Sequence, residues 1–479
     1  MQFTVDHIGR IRHASIKLDG LTVIAGRNNK GKSTIGESLF ALVNSQHNFP
    51  LKVMSRNKQR IRDAAEECLF TSSPSVDGAG TQVRLNYRDL KIISEKLSEH
   101  FISTEGKVQA GDIKEWLQTE YKNNSTIQPA RTEAGLDPFS EIYSSPSFHR
   151  IASILASDRK SAKEFRETCA ALLNDSEASL RTTFTLESFD QLFGNQYISY
   201  LCNEEDSASV ALIESEEQNT PLIAANFIRN ECTTEVNLSV QPVVLFIDDP
   251  NLLSMIWDSP YFRFNFYNAR NRGPKESLFA NALYEQMHAK HKIRSAEEEA
   301  KYNTKCQKII DMLDRAHKSR IKTDKTGHQT LKESWMPRQN IRLSNVSIGV
   351  QAIELLKEIV RSGSLDDNTF LVLDEPEIHL HPEWQLIYAR ALSKIADSLH
   401  TKVLVTTHSP YFIQALQVYS RQVQIQDQLH IYMPREVEGH AVDFIEADDE
   451  IMDLLLDDMA KPFDDLEILD AMMNEKKNR

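Results

Sequence analysis

The sequence predicts an α/β fold, a mixed β-sheet with a phosphate loop at one end, interrupted by large helical insertions. Three observations carry this. Leu21-Thr22-Val23-Ile24-Ala25 is a short, wholly apolar run of the kind a buried strand needs, and a Gly-rich loop follows it. Ile35, Leu39 and Val43 then recur every fourth residue, which places them on one face of a helix. Beyond Asn340, strands and helices alternate: helix Val350–Val360, strand Phe370–Leu373, helix Pro382–Leu399, strand Val403–Thr407, helix Tyr411–Leu416.

The remaining elements follow in chain order. Phe3, Val5, Ile8, Ile11, Ile16 and Leu18 are the apolar members of an early hairpin. Lys52 to Asn203 is mostly helical, with Arg56–Phe70, Tyr87–Phe101 and Ser161–Asn174 as helices and Ser72–Gly80 and Asn123–Ser147 as loops. Short strands return at Ser209–Ile213, Leu222–Phe227, Thr233–Leu238 and Val243–Ile247. Glu276–Lys325 reads as helix. The most basic stretch of the chain is Lys301–Lys332, either a polyanion contact or a solvated helix face with a loop. From Asp443 to Asp470 the chain is acidic and amphipathic, and its leucines are expected to cap the C-terminal lobe. The expected organisation is 1–51, an N-terminal lobe with the phosphate loop; 52–205, a helical insertion; 206–255, returning strands; 256–339, a helical segment; 340–430, a C-terminal lobe; and 431–479, an acidic tail.

Composition narrows the function classes. The 479 residues are too many for one ordinary domain at roughly 150 residues each. Hydrophobic usage of 41% and charged usage of 26% are those of a globular chain rather than a disordered or collagenous one. No run approaches the roughly 18 apolar residues that cross a bilayer, and the N-terminus has no apolar signal region, so a cytoplasmic protein without a membrane partner is expected. Five scattered cysteines fit a reducing compartment and no zinc site. A net charge of −14 disfavours non-specific DNA binding over most of the surface but leaves room for a local basic patch.

The strongest motif is Gly26-Arg27-Asn28-Asn29-Lys30-Gly31-Lys32-Ser33-Thr34, a GxxxxGK[ST] loop between a buried strand and a helix. Backbone amides of such a loop curl around a β-phosphate, the helix N-terminus adds its dipole, the lysine meets the β/γ-phosphates, and Ser33 is a candidate Mg²⁺ ligand. An acid-ended strand is needed to complete the chemistry, and two compete: Val243–Ile247 with Asp248-Asp249, and Phe370–Leu373 with Asp374-Glu375. The second is preferred. It has the Asp-Glu order, with Asp374 for the metal and Glu375 as general base. A Ser-Gly motif precedes it, and a strand ending Thr406-Thr407-His408 follows. The Asp248-Asp249-Pro250-Asn251 run reads as a turn.

Together these motifs resemble an ABC-type ATPase. Asn345-Val346-Ser347-Ile348-Gly349-Val350-Gln351 resembles the ABC signature, with Ile348 and Val350 replacing its first glycine and its glutamine. Asp374-Glu375-Pro376-Glu377-Ile378-His379-Leu380-His381-Pro382 resembles the DEPExxLHP segment of OLD-type, ABC-like AAA ATPases, and His408-Ser409-Pro410 their switch histidine. The resemblance implies an ABC-type P-loop ATPase head that binds ATP and Mg²⁺. In it Ser347 and Gly349 face the γ-phosphate held by a second subunit, so a head-to-tail dimer or higher homo-oligomer is implied, with His408 sensing the γ-phosphate. Arg10 or Arg12 of the first hairpin either approach the nucleotide, as basic residues there do in that class, or are solvated residues of an exposed strand; no Q-loop glutamine is assigned. His379 and His381 read as an ordered, dimer-facing loop rather than a metal pair.

Three functional readings stay open. The chain looks like the stand-alone ATPases of the Septu and PARIS anti-phage systems. That resemblance implies a separately encoded HNH or Toprim nuclease as partner and a nucleic-acid or phage-protein trigger. The chain shows no DxD spacing or HNH set of its own. A DNA-repair or chromosome-handling ATPase of the SMC type is the alternative, against which the missing long coiled coil counts. A transporter motor is the third, against which the insertions and the DEPExxLHP segment count.

Overall fold

Five parallel strands at one end of the chain's main sheet explain where its chemistry gathers. The computed structural model describes residues 1–71, 87–102, 107–124, 131–132, 135–136, 146–194, 198, 207–214, 220–229, 231–258, 275–289, 294–323, 329–333, 340–437, 440–448, 450–453, 455, 461, 466, 468–470 and 472–473. The strands are β1 (Gln2–Ile8), β2 (Ile11–Lys17), β3 (Leu21–Ala25), the two-residue pair β4 (Arg131–Thr132) and β5 (Gly135–Leu136), β6 (Ser207–Ile213), β7 (Pro221–Ile228), β8 (Glu231–Val236), β9 (Val243–Ile247), β10 (Ser319–Thr323), β11 (Gln329–Glu333), β12 (Ile341–Arg342), β13 (Thr369–Asp374), β14 (Lys402–Thr407), β15 (Leu429–Glu436) and β16 (Val442–Glu446). The helices are α1 (Lys32–Gln46), α2 (Phe49–Thr71), α3 (Tyr87–Ile102), α4 (Ala110–Asn124), α5 (Pro146–Leu155), α6 (Lys160–Leu173), α7 (Glu177–Phe193), α8 (Leu252–Asp258), α9 (Lys275–His288), α10 (Ala296–Leu313), α11 (Ile348–Ser362), α12 (Pro382–Leu399) and α13 (Pro410–Gln422).

Among the described residues the main sheet runs β8-β7-β6-β1-β2-β16-β15-β3-β14-β13-β9. From β8 to β2 the pairing is antiparallel; β15, β3, β14, β13 and β9 are parallel to one another. The mixed sheet expected from the sequence is therefore present. Of the parallel strands, β3, β13, β14 and β9 are almost wholly buried, as strands covered by helices on both faces must be, which is why they read as largely apolar runs. Edge strand β9 is pinned by aromatic packing: Phe246 stacks on Phe279 of α9 at 4.4 Å, and Phe40 of α1 meets Phe279 edge-on at 4.9 Å.

The chain divides into two compact units, Met1–His47 with Arg181–Arg479, and Asn48–Leu180. The second is helical, with its own core of Ile61, Leu97, Ile113, Leu155, Phe165 and Cys169 among others. Ile61, Ala65 and Leu69 are the stripe α2 contributes, spaced four residues apart.

Three expectations change. The basic stretch is not helical to its end: α10 stops at Leu313, and β10–β11–β12 form a separate antiparallel sheet. Arg320-Ile321-Lys322 and Thr330-Leu331-Lys332 alternate with period two, and that pattern decides for strand. Residues 431–446, expected in the acidic tail, supply β15 and β16 inside the main sheet. Of the tail leucines, Leu455 is buried but Leu466 and Leu469 are exposed. The predicted loop Ser72–Gly80, most of Asn123–Ser147, and Leu454, Leu456 and Phe463 lie outside the described residues. Among the described residues no helix is long and apolar enough to cross a membrane.

Candidate functional site

In a parallel sheet ligands gather at the carboxyl ends of the strands. The register fixes which residues stand there. Leu373 pairs with Ile247, Asp374 with Thr406, and Thr407 with Ala25, so Asp248, Asp374-Glu375, Thr407-His408 and Gly26 emerge at one edge.

The phosphate loop leaves β3 at Gly26 and enters α1 after Gly31. Gly26 has φ +155, and a Cβ there would lie 2.7 Å from the Pro434 ring of β15, so this turn accepts only glycine without a shift. No side chain caps the first turn of α1, leaving its amides for an anion. Lys32 is buried; its Nζ donates to the Arg27 carbonyl at 3.0 Å and lies 3.4 Å from Glu375 Oε1.

Ser33 Oγ donates to Asp374 Oδ1 at 3.0 Å, joining the loop to the acidic strand end. Thr406 Oγ1 donates to the same Asp374 oxygen. Burial pushes the Asp374 carboxyl above the usual carboxylate range, against the pull of the Thr406 and Ser33 hydrogen bonds. Glu375 sits at φ +48, a strained position for a residue with a Cβ, held by its N–H donating to the Thr406 carbonyl at 3.1 Å. His408 Nδ1 lies 3.4 Å from Glu375 Oε2 and 3.9 Å from Glu377 Oε1.

The structure thus brings together Gly26, Lys32, Ser33, Asp374, Glu375 and His408. The loop residues Arg27, Asn28, Asn29, Lys30, Gly31 and Thr34 are carried with them. Lys30 is ion-paired to Glu436 of β15. Of the two hairpin arginines, Arg10 touches the loop, donating to the Asn29 carbonyl and pairing with Glu436, whereas Arg12 pairs with Asp443. Ser347 and Gly349 stand on another element, at the start of α11. Ser347 is exposed, and its hydroxyl does not cap its own helix. A Cβ on Gly349 would meet the His379 carbonyl at 2.6 Å, so this glycine lets the Glu375–Pro382 loop pack on α11.

The competing acid pair separates into two roles. Asp249 forms a turn, accepting from Asn251 N at 2.8 Å and Asn251 Nδ2 at 3.1 Å. Asp248 lines a cleft of about 120 Å³ with Asp374, Glu375, His379 and Tyr388, room for several waters beside Glu375. His381 accepts from the Glu383 N–H at 3.3 Å and so caps α12. Among the described residues no cluster of three or more His, Cys, Asp or Glu could hold a metal alone.

Sequence reasoning missed three residues. Glu377 is buried and accepts from Thr407 Oγ1 and from the His408 N–H at 3.3 Å, fixing the histidine's backbone. It stood in the quoted DEPExxLHP segment. Thr406 stood one residue before the Thr407-His408 pair. Glu436 had no local signal, because only the β15–β3 pairing brings it to the loop.

Comparison with known proteins adds three findings. A family model described as AAA ATPase domain matches residues 9–413. Solved structures similar to the chain include the SMC head domain from Thermotoga maritima, at 12% identity over 93% of this chain and 98% of that one, with a TM-score of 0.35. The Smc head domain with an extended coiled coil bound to the C-terminal domain of ScpA from Pyrococcus furiosus shares 10% identity over 95% and 98%, with a TM-score of 0.36. No curated protein matches the chain.

Proposed function

This chain belongs to the AAA ATPase domain family, and we infer that it is the ATP-hydrolysing regulatory subunit of an anti-phage complex whose nuclease is a separate chain. The Ser33–Asp374 contact carries the ATPase part, because it puts a phosphate cradle and an acidic strand end in one site. Lys32 and the α1 amides would bind the triphosphate. Ser33 and Asp374 would hold Mg²⁺, which would supply positive charge to offset that of the triphosphate. Beside the cleft, Glu375 would orient a water and accept its proton, and His408, 3.4 Å from Glu375, would meet the γ-phosphate.

The phosphate loop and the acidic strand end stand together while the Ser347 motif stands on another element, which supports a head-to-tail dimer closing over two ATP molecules. Ile348, Ile378, Leu386 and Tyr411, on or beside the signature, acidic-loop and switch segments, are exposed apolar residues that such a partner would cover. The defence role rests on the OLD-like segment from Asp374 to Pro382 and on the likeness to Septu and PARIS ATPases. A DNA-handling ATPase is the second reading, favoured by the basic strand ladder at Arg320 and Lys332.

Lys32→Ala should lose nucleotide binding, read by calorimetric titration; wild-type affinity would remove the phosphate-loop assignment. Purification of the chain expressed with its native gene neighbours tests the role. A nuclease subunit copurifying in fixed ratio supports defence, whereas the chain alone or with chromosome-structure subunits moves the assignment to DNA handling.

A further inference from the structure

The sheet β10–β11–β12 has one face that neither the nucleotide site nor the core uses. Its register places Arg320 opposite Lys332 and aligns Lys322, Thr330 and Arg342 across the three strands. Residues two apart on a strand share a face, so Arg320, Lys322, Thr330, Lys332 and Arg342 lie together. The opposite face carries Ser319, Ile321, Leu331, Glu333 and Ile341, and it is turned to the protein: Leu331 is fully buried, and Ser319 donates to Glu354 of α11. Arg320, Lys322 and Arg342 are exposed, Lys332 is half-buried, and Thr330 between Lys322 and Arg342 is buried, its hydroxyl donating to the Lys322 carbonyl at 3.1 Å. Among the described residues none of the four cations pairs with a carboxylate.

That arrangement is unusual in a chain of net charge −14. Arg320 and Lys332 stand directly opposite on neighbouring strands, with Cβ atoms about 5 Å apart, where like charges are unfavourable. We propose that this face binds the phosphate backbone of duplex nucleic acid without reading its bases. A protein partner fits less well, because protein interfaces centre on apolar and aromatic residues, and none of the five positions on this face is apolar. A single strand fits less well too, since its binders interleave aromatic stacking platforms with the cations. Two cationic rows on a flat sheet suit a double helix, whose two strands present charge over a surface rather than along a line. The proposal stands apart from the nuclease reading and requires no ATP turnover.

The test uses the full chain and a labelled random-sequence duplex, read by fluorescence anisotropy over a salt series. The wild type should bind, with affinity falling steeply as salt rises. The double variant Arg320→Ala/Lys332→Ala should bind more weakly on every sequence, and its log–log salt slope should be shallower by about 1.8, roughly 0.9 for each phosphate no longer neutralised. Its ATP affinity and duplex-free hydrolysis should stay at the wild-type value, which also shows that it folds. Should that variant lose ATP binding, Lys322→Gln/Arg342→Gln provides the same slope measurement on the other row. Wild-type protein that ignores the duplex at low salt would overturn the proposal. So would equal or tighter binding to polyglutamate or to the single strand, or an unchanged slope in both variants.

Discussion

Asp374 shows at a single residue how the site trades stability for chemistry. Burial raises its carboxyl pKa, so the native state holds that proton more tightly than the unfolded chain does. Between the ordinary carboxylate value and the raised one, the native state binds more protons, and stability therefore falls as pH rises through that window. The deficit persists at neutral pH. Asp374→Asn removes the titrating group while keeping an acceptor for Ser33 and Thr406. The nucleotide-free variant should melt above wild type at neutral pH in calorimetry, and the gap should close as pH drops to about 4. A gap that is constant with pH would mean that the buried charge is not its source. Glu375 is the complementary case. Its strained backbone is fixed by Thr406, so Glu375→Gln should keep both fold and ATP binding. Hydrolysis in that variant should fall by roughly 10²–10⁴, the usual worth of a general base. Single-turnover kinetics checks this, and wild-type turnover would direct attention to Asp248.

At the scale of elements, α11 and the β15–β16 hairpin govern how the site is held. Gly349 lets α11 lie against the His379 carbonyl, so Gly349→Ala should force the Glu375–Pro382 loop to shift. A cost of about 1–3 kcal/mol in urea unfolding is expected, with reduced turnover. From β15, Glu436 draws on Lys30 and Arg10 at the lip of the phosphate loop. It competes with an incoming polyanion, so Glu436→Ala should tighten ATP binding by roughly two- to fivefold at low salt, fading as salt rises. Weaker binding would instead make Glu436 a positioning residue for Lys30. These two elements also mark what the sequence could tell. The phosphate loop, Asp374-Glu375 and His408 were legible because each motif is local and sits at a strand end. Beyond Leu313 the basic stretch was misread, because its charge masked a period-two pattern only five residues long on each strand. β15 and β16 were hidden because acidic composition suggested a tail. Their pairing with β3 and β2 spans some four hundred residues, and no local signal reports such a distance.

At the scale of the whole molecule, one chain offers one nucleotide cradle and, on a separate element, one exposed Ser347. Within one chain α11 packs its Gly349 against the His379 carbonyl of the acidic loop but leaves the Ser347 side chain exposed. If two copies close head to tail, ATP is buried between the Lys32 edge of one and the Ser347 edge of the other. Association then depends on nucleotide and is most persistent when hydrolysis is blocked. Light scattering on Glu375→Gln should show mass doubling with ATP and not with ADP, and the dimer should weaken on dilution. Adding Ser347→Arg places a bulky side chain at the exposed N-cap of α11, where it would obstruct the partner's triphosphate while leaving the chain's own phosphate loop untouched. That double variant should keep ATP affinity as a monomer and lose the ATP-dependent doubling. Doubling that survives Ser347→Arg would mean the copies meet through another surface and that α11 does not face a neighbour's nucleotide.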